Sequence, residues 1–87
     1  MSTADLIRER LAALEPETYT LEDESAQHKG HAGAASGGGH FRLTVVSPKF
    51  RNLSTLARHR LVYEVMGDLM QREIHALSIT ALTPEEL

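Results

Sequence analysis

Residues 40–48, with the sequence HFRLTVVSP, decide how the rest of the chain is organised. Phe41, Leu43 and Val45 alternate with polar residues, which is the period of a strand that is buried on one face. Pro48 ends this pattern, because proline lacks the N–H that a sheet ladder requires. We therefore predict a half-buried strand over most of this stretch.

A second alternating stretch, Ile74–Ala81, predicts another strand. Between the two strands, Phe50–Asn52 forms a turn, and Ser54 is the N-cap of a helix that runs to about Met70. A connection that contains a helix makes the flanking strands parallel, with a right-handed crossover.

Near the end of this helix, Gly67 weakens the helical conformation and allows close packing. The helix carries an apolar stripe of Leu61, Val62, Val65, Met66 and Leu69 and leaves Arg58, Glu64 and Asp68 in solvent.

The chain before these strands supplies a helix, a short strand and a long loop. The helix is capped by Ser2 or Thr3 and stops at Pro16. Thr18–Glu22 alternates β-prone residues, which predicts a short strand. Residues 23–39 contain five of the chain's six glycines and nothing that anchors to a core. We predict a mobile surface loop there, of a length that is often functional.

The last element is a short terminal helix at Thr83–Leu87, because Thr83 and Glu86 match a capping box. The order is therefore helix, strand, strand, helix, strand, helix. It predicts an α+β fold in which helices cover one face of a three-stranded mixed sheet. The 87 residues form one domain, residues 1–87, with a single modest core and a flexible loop rich in glycine and histidine at about 24–39.

The composition is that of a globular protein, with 41% hydrophobic and 24% charged residues. The chain has no cysteine, which excludes a disulfide scaffold, a thiol nucleophile and a cysteine-based metal site of its own. No apolar run reaches the ~18–20 residues that span a bilayer, and Met1–Arg10 lacks the apolar region of a secretory signal. We expect an intracellular protein with no membrane contact. The lack of a transit segment favours a bacterial cytoplasm over an organelle matrix.

The net charge of −3 conceals a segregation along the chain. Residues 1–28 carry a balance of −5, residues 29–72 a balance of +5 and residues 73–87 a balance of −3. A basic middle segment is typical of a surface that binds nucleic acid or an acidic protein. The alternative is a charge dipole with no binding role, which the pI of about 5.9 supports.

Motifs of the common enzyme classes are absent from the sequence. There is no Gly-x-Gly-x-x-Gly after a strand, no Walker pattern and no Gly-x-Ser-x-Gly elbow. The run Gly37–Gly39 leads into a strand rather than a helix, so it lacks the helix dipole that binds phosphate. We expect a protein that is not an enzyme.

Histidine is the unusual residue, with five copies, and neutral imidazole is a common ligand for metals of intermediate softness. His28 and His31 could form half of a zinc site, but without cysteine a closed site would need further histidine or carboxylate ligands, and polar filler is the favoured interpretation of His28. Strand alternation puts His75 on the side of Leu77 and Ile79, where the core face meets solvent. There it is either a partly buried residue that is hydrogen-bonded locally, or a rigid ligand. A ligand there would join a second ligand from the loop in an open metal site that needs a partner.

Three segments together resemble the BolA family: Phe50-Arg-Asn-Leu-Ser-Thr-Leu-Ala-Arg-His-Arg-Leu-Val-Tyr63, Ile74-His-Ala-Leu-Ser-Ile79 and Thr83-Pro84. The resemblance covers essentially the whole chain. The loop with His31 resembles the subgroup that has histidine where other members have cysteine. Asn52 stands where the family commonly has glycine. Because asparagine tolerates the left-handed conformation, we expect the turn to survive.

The resemblance implies a fold similar to the class II KH domain and a partnership with a monothiol glutaredoxin. Family members share a [2Fe–2S] cluster with that partner across a heterodimer, in iron–sulfur cluster trafficking or iron sensing. The glutaredoxin supplies a cysteine, glutathione supplies a second thiolate, and the BolA-like protein supplies two ligands. By position, these two ligands are His31 and His75. The isolated chain is then expected to hold no cluster and to be a monomer or a weak dimer.

DNA binding is the alternative function, since BolA-like proteins are also described as DNA-binding transcriptional regulators. Phosphate contacts would come from Lys49, Arg51, Arg58 and Arg60, in the basic segment 49–60. Against this, the Gly-x-x-Gly clamp of KH domains is absent, and aromatic residues for base stacking are few. The sequence leaves open the roles of His28, His40 and His59.

Overall fold

The computed structural model describes residues 1–25 and 39–87. Most of the predicted loop at 24–39, with His28 and His31, lies outside the described residues. Among those residues, the fold class predicted from the sequence is confirmed: an α+β arrangement with a three-stranded mixed sheet. The helices and strands are α1 (Thr3–Leu11), β1 (Thr18–Asp23), β2 (Gly39–Val46), α2 (Thr55–Met66) and β3 (Ile74–Leu82), and 3-10 turns lie at Ala12–Leu14, Pro48–Phe50, Gly67–Gln71 and Pro84–Glu86.

The sheet has the order β1-β2-β3, with β2 in the centre. β1 and β2 are antiparallel, and β2 and β3 are parallel, as the helical crossover predicts. The register between β2 and β3 slips once, because Gly39 is opposite Ile74 whereas His40 is opposite Ala76. His75 is therefore the extra residue of a β-bulge at the start of β3.

Helices α1 and α2 pack on one face of the sheet and enclose the core with it. The alternation predicted for β2 is confirmed, since Phe41, Leu43 and Val45 are buried while Arg42 is exposed. The opposite face of the sheet is left to polar residues of all three strands. The core cluster consists of Ile7, Leu11, Leu14, Phe41, Leu43, Val45, Phe50, Val62, Met66, Leu69 and Ile74.

Helix α2 ends earlier than the sequence predicts. It stops at Met66 rather than near Met70, and a 3-10 turn follows. The cause is Gly67, whose φ of 55° is a left-handed value that glycine adopts without strain. The Arg10 Nη1 atom donates to the Met66 carbonyl at 2.9 Å, and a Cβ on Gly67 would lie 2.9 Å from the same nitrogen. The close packing predicted at Gly67 is thus confirmed.

The local signals that begin and turn the chain are also confirmed. Ser2 caps α1 with a reciprocal capping box, and the Ser54 hydroxyl accepts a hydrogen bond from an N–H in the first turn of α2 at 3.1 Å. The capping box between Thr83 and Glu86 is present, although it begins a single 3-10 turn rather than an α-helix. Asn52 has a φ of 65°, so the left-handed turn expected there is retained. Within the described part of the chain, no helix has the length and apolar character needed to cross a membrane.

Candidate metal centre at the start of β3

His75 owes its position to the β-bulge. Strict alternation would put it on the side of Leu77 and Ile79, which pack against the core. The extra residue breaks the alternation, so that the buried Ile74 is followed by two exposed residues, His75 and Ala76. The side predicted for His75 is therefore wrong. The His75 side chain is exposed to solvent at the second residue of β3, on a backbone that the sheet holds in place.

His40 lies beside His75, at the start of the neighbouring strand. The two ring centroids are 4.9 Å apart, and the ring planes are inclined by 35°. His40 is partly buried, and its Nε2 atom is shielded from solvent. Two adjacent imidazoles are a suitable donor set for iron, zinc or copper, which prefer nitrogen ligands of this kind. The pair is the candidate metal centre of the described chain.

Hydrogen bonds hold Ser25 and Gly39, the described residues on either side of positions 26–38, close to this pair. On the β1 side, His40 donates its N–H to the Ser25 hydroxyl at 3.1 Å. On the β2 side, Gly39 donates its N–H to the Glu73 carbonyl at 3.0 Å, immediately before β3. The described chain before residue 26 therefore ends beside His40, and the chain from residue 39 resumes beside Glu73, immediately before β3.

Three acidic residues lie in the chain that flanks this end of the sheet. Hydrogen bonds from the Ser25 side chain and backbone hold the pKa of Asp23 below its ordinary value. Glu24 forms an ion pair with Arg42 at 3.2 Å. One carboxylate oxygen of Glu73 is shielded from solvent and has no hydrogen-bond partner among the described residues. In that same part of the chain, no three or more His, Asp or Glu side chains are grouped closely enough to hold a metal ion.

The structure brings His75 together with His40, a residue whose role the sequence leaves open. The predicted second ligand, His31, lies outside the described residues, so the predicted pair stays a prediction. A signal for the His40 contact does exist in the sequence. Ile74 and Leu77 are both apolar but an odd number of positions apart, so both can face the core only if one residue between them is extra.

The basic residues of the alternative site divide into two kinds. Arg51 donates from Nε to the Glu85 carboxylate at 2.8 Å and from Nη2 to its second oxygen. This bidentate pairing of the guanidinium with the carboxylate raises the pKa of Arg51 and lowers the pKa of Glu85. Lys49 and Arg60 are exposed on the surface. Among the four, these two are the side chains best placed to reach an external phosphate.

Arg58 is expected to remain in solvent, and this expectation is wrong, because its side chain is only 14% exposed. Its guanidinium donates to the carbonyls of Leu53 and Ala81, each at 3.0 Å. It also donates to both oxygens of Glu86, at 2.6 and 3.2 Å. This hydrogen bonding lowers the pKa of Glu86 to about 2. Arg58 thus ties the first turn of α2 to the end of β3 and to the terminal turn.

Comparisons with known proteins match this fold along almost the whole chain. The family model described as BolA-like protein matches residues 11–86. The solved structure of the BolA domain of SufE1 from Arabidopsis thaliana superposes with a TM-score of 0.86 at 42% sequence identity. That match covers 100% of this chain and 98% of the solved chain.

Curated relatives give the same result at the level of sequence. BolA-like protein 1 of Mus musculus is 44% identical and is matched over 85% of this chain and 52% of its own length. The DNA-binding transcriptional regulator BolA of Haemophilus influenzae is 31% identical, over 99% and 82%. SufE-like protein 1, chloroplastic/mitochondrial, of Arabidopsis thaliana is 42% identical, over 93% and 24%. The chain thus spans between about a quarter and about half of the length of the first of these curated relatives.

Proposed function

The chain belongs to the BolA family, and we propose that it is an adaptor, rather than an enzyme, that binds a monothiol glutaredoxin and shares a [2Fe–2S] cluster with it. The observation that carries this proposal is the exposed His75, held on a β-bulge with the ring of His40 at 4.9 Å. An imidazole in solvent on a fixed backbone can accept a metal whose remaining ligands come from a second protein. The role would be iron–sulfur cluster trafficking or iron sensing.

The two ligands that this chain would contribute are His75 and His31. His75 is the fixed ligand, because the sheet orients it whether or not a partner is present. His31 belongs to the glycine-rich segment between Ser25, which is hydrogen-bonded to His40, and Gly39, which is hydrogen-bonded to Glu73 just before β3. Since the chain has no cysteine, both thiolates of the cluster would come from the glutaredoxin and from glutathione.

His40 is the rival for the second position, since its ring already lies against His75. If His31 is the ligand, His40 instead supports the His75 ring by packing against it and acts as a positioning residue. The two cases differ in the effect of substitution. Removal of a ligand changes the electronic spectrum of the cluster, whereas removal of a packing partner mainly weakens its retention.

When bound, a [2Fe–2S] cluster supplies one-electron chemistry, and neutral imidazoles in place of thiolates raise its reduction potential. The task of this chain is then to orient its ligands and to present them at an accessible edge. The hydrogen bond from the His40 N–H to the Ser25 hydroxyl and the one from the Glu24 N–H to the His40 carbonyl hold the adjoining backbone. These contacts limit the movement of the described half of the site before the partner arrives.

Anaerobic reconstitution with iron, sulfide and glutathione tests the proposal, with and without a monothiol glutaredoxin. Products are separated by size exclusion and read by visible absorption. We expect cluster bands that coelute with a heterodimer and are absent from the chain alone. A glutaredoxin that forms no complex with the chain under these conditions would contradict the proposal. Parallel reconstitutions with His31→Ala and His40→Ala identify which histidine is the second ligand.

The cellular setting that we propose is a bacterial cytoplasm, with an organelle as the alternative, since one relative is named as chloroplastic and mitochondrial. DNA binding is the second candidate function. It is favoured by the exposure of Lys49 and Arg60 and by the name of the Haemophilus influenzae relative. It is disfavoured by the engagement of Arg51 and Arg58 with carboxylates of this same chain.

A further inference from the structure

The strand β3 forms one edge of the sheet, and its sequence lacks two common protections against pairing, charged residues and proline. Its nine residues, Ile74–Leu82, include no charged residue and no proline. Natural edge strands commonly carry such residues, because they prevent a second chain from adding a strand. The other edge strand, β1, is shorter and carries Glu22 and Asp23. Of the two edges, β3 is therefore the one open to β-pairing.

The hydrogen bonds of the sheet identify which backbone groups of β3 point outwards. The Leu82 carbonyl accepts from the Ser47 N–H at 2.9 Å, so it points towards the β2 side. Successive residues of a strand direct their backbone groups to alternate sides. The N–H and C=O groups of Leu77, Ile79 and Ala81 are consequently directed to the open edge.

Both ends of this edge are closed by other features. At the carboxyl end, Arg58 donates to the outward carbonyl of Ala81 at 3.0 Å. At the amino end, the bulge at His75 distorts the strand and ends regular pairing. The outward groups of Leu77 and Ile79 remain between these limits, and no strand of the described chain pairs with them. They present two donors and two acceptors to an added strand.

We propose that this edge is a self-association surface, on which a second copy of the chain adds its own β3 antiparallel to the first. The two-fold axis passes beside Ser78. Leu77 of each copy then exchanges hydrogen bonds with Ile79 of the other, and the two three-stranded sheets become one of six strands. The pairing stops at the His75 bulge and at the carbonyl that Arg58 occupies.

A second copy is the occupant that the chemistry of β3 fits. In an isologous interface the residue at the two-fold axis meets its own copy, so a charge at that position would meet a like charge. Ser78 lies at the axis, is exposed and is neutral, and the exposed Ala76 faces the exposed Thr80 of the other copy. The surface joined by so few residues is small, so the dimer is weak and concentration-dependent.

Sedimentation equilibrium of the whole chain tests the proposal. Concentrations up to about 1 mM are needed, because a weak dimer is populated only at high concentration. The wild type is expected to rise above the monomer mass of 9.6 kDa. Ser78→Glu and Ser78→Lys should each weaken association about fivefold or more, because like charges face each other at the axis. An equimolar mixture of the two variants should restore association, since opposite charges then meet.

The matched control is Thr20→Glu, an exposed position on the same face of the other edge strand, which should associate like the wild type. Three results would overturn the proposal. They are a wild type that remains monomeric throughout, an equal loss of association in Thr20→Glu, and a mixture of the two Ser78 variants that fails to associate. Shifts of the Leu77 and Ile79 amide resonances on dilution locate the interface independently.

Discussion

His40 and His75 lie on neighbouring strands with their ring centroids 4.9 Å apart, and a β-bulge makes this contact possible. Beyond the bulge, Phe41 is opposite Leu77 and the register is regular. If that register continued, His75 would lie opposite Gly39 and on the other face of the sheet from His40. One extra residue therefore creates the imidazole pair on which the functional proposal depends.

The ion pair between Arg58 and Glu86 predicts a pH dependence of stability. Hydrogen bonding from Arg58 lowers the pKa of Glu86 from its ordinary 4.5 to about 2, so folding favours the ionised carboxylate. The resulting stabilisation is complete above pH 4.5 and is lost as the pH falls through about 2. Glu86→Gln should be less stable than the wild type at neutral pH, and urea titrations should show that difference shrinking between these two values.

The control for this prediction is Glu64→Gln, which removes the same charge from an exposed position on α2. Its stability relative to the wild type should change little over the same pH range. A Glu86→Gln difference that stays constant down to pH 2 would mean that the ion pair does not stabilise the fold.

Replacement of the buried Ser47 should lower the free energy of unfolding, because its hydroxyl bonds two backbone groups. Its side chain is fully buried, donates to the Leu14 carbonyl and accepts from the Lys49 N–H at 3.0 Å. Ser47→Ala leaves both backbone groups without this partner, which should cost roughly 1–3 kcal/mol. Ser78→Ala, at an exposed position, should change stability by less than about 0.5 kcal/mol. Chemical denaturation measures both, and equal effects would argue against the buried hydrogen bonds.

The turn at Asn52 predicts opposite effects for two small substitutions. With a φ of 65°, Asn52 adopts a conformation that glycine takes freely and that alanine resists. Asn52→Gly should leave the midpoint of thermal unfolding unchanged or raise it slightly. Asn52→Ala should lower stability by about 1 kcal/mol. Equal midpoints for the two variants would contradict the left-handed conformation.

DNA binding, the alternative function, leads to a prediction about three of the four basic residues. If DNA is bound, the double variant Lys49→Ala with Arg60→Ala should lower the salt dependence of affinity by about two phosphate contacts. Arg58→Ala should instead destabilise the fold by about 2 kcal/mol, because it removes hydrogen bonds to two carbonyls and a carboxylate. Fluorescence anisotropy across a salt series separates the two effects. Binding that is lost only with Arg58 would contradict this division of roles.

Much of the fold follows from local signals in the sequence. Phe41, Leu43 and Val45 alternate cleanly, so β2 and its buried face are predictable. The helical connection makes β2 and β3 parallel, and the caps at Ser2 and Ser54 mark where helices begin. These features depend on neighbouring residues, which is why the sequence alone is sufficient to predict them.

The errors arise where a distant contact overrides a local pattern. Arg58 looks like a solvated residue on α2, but Ala81 and Glu86 meet it from the far end of the chain. The face of the sheet predicted for His75 is wrong because the prediction assumes strict alternation along β3. The one extra residue of the bulge breaks that alternation. The residues after Gly67 are compatible with a helix, so the sequence predicts one to about Met70. The left-handed φ of Gly67 instead ends α2 at Met66.

The most direct test of the central claim is the visible circular dichroism spectrum of the reconstituted heterodimer with a monothiol glutaredoxin, compared between His75→Ala and His59→Ala. Both variants remove one imidazole, but His59 lies on α2 and not at the bulge. We expect an altered or absent cluster spectrum for His75→Ala and a wild-type spectrum for His59→Ala, with far-ultraviolet spectra that show both variants folded. A wild-type cluster spectrum in the folded His75→Ala heterodimer would contradict the claim.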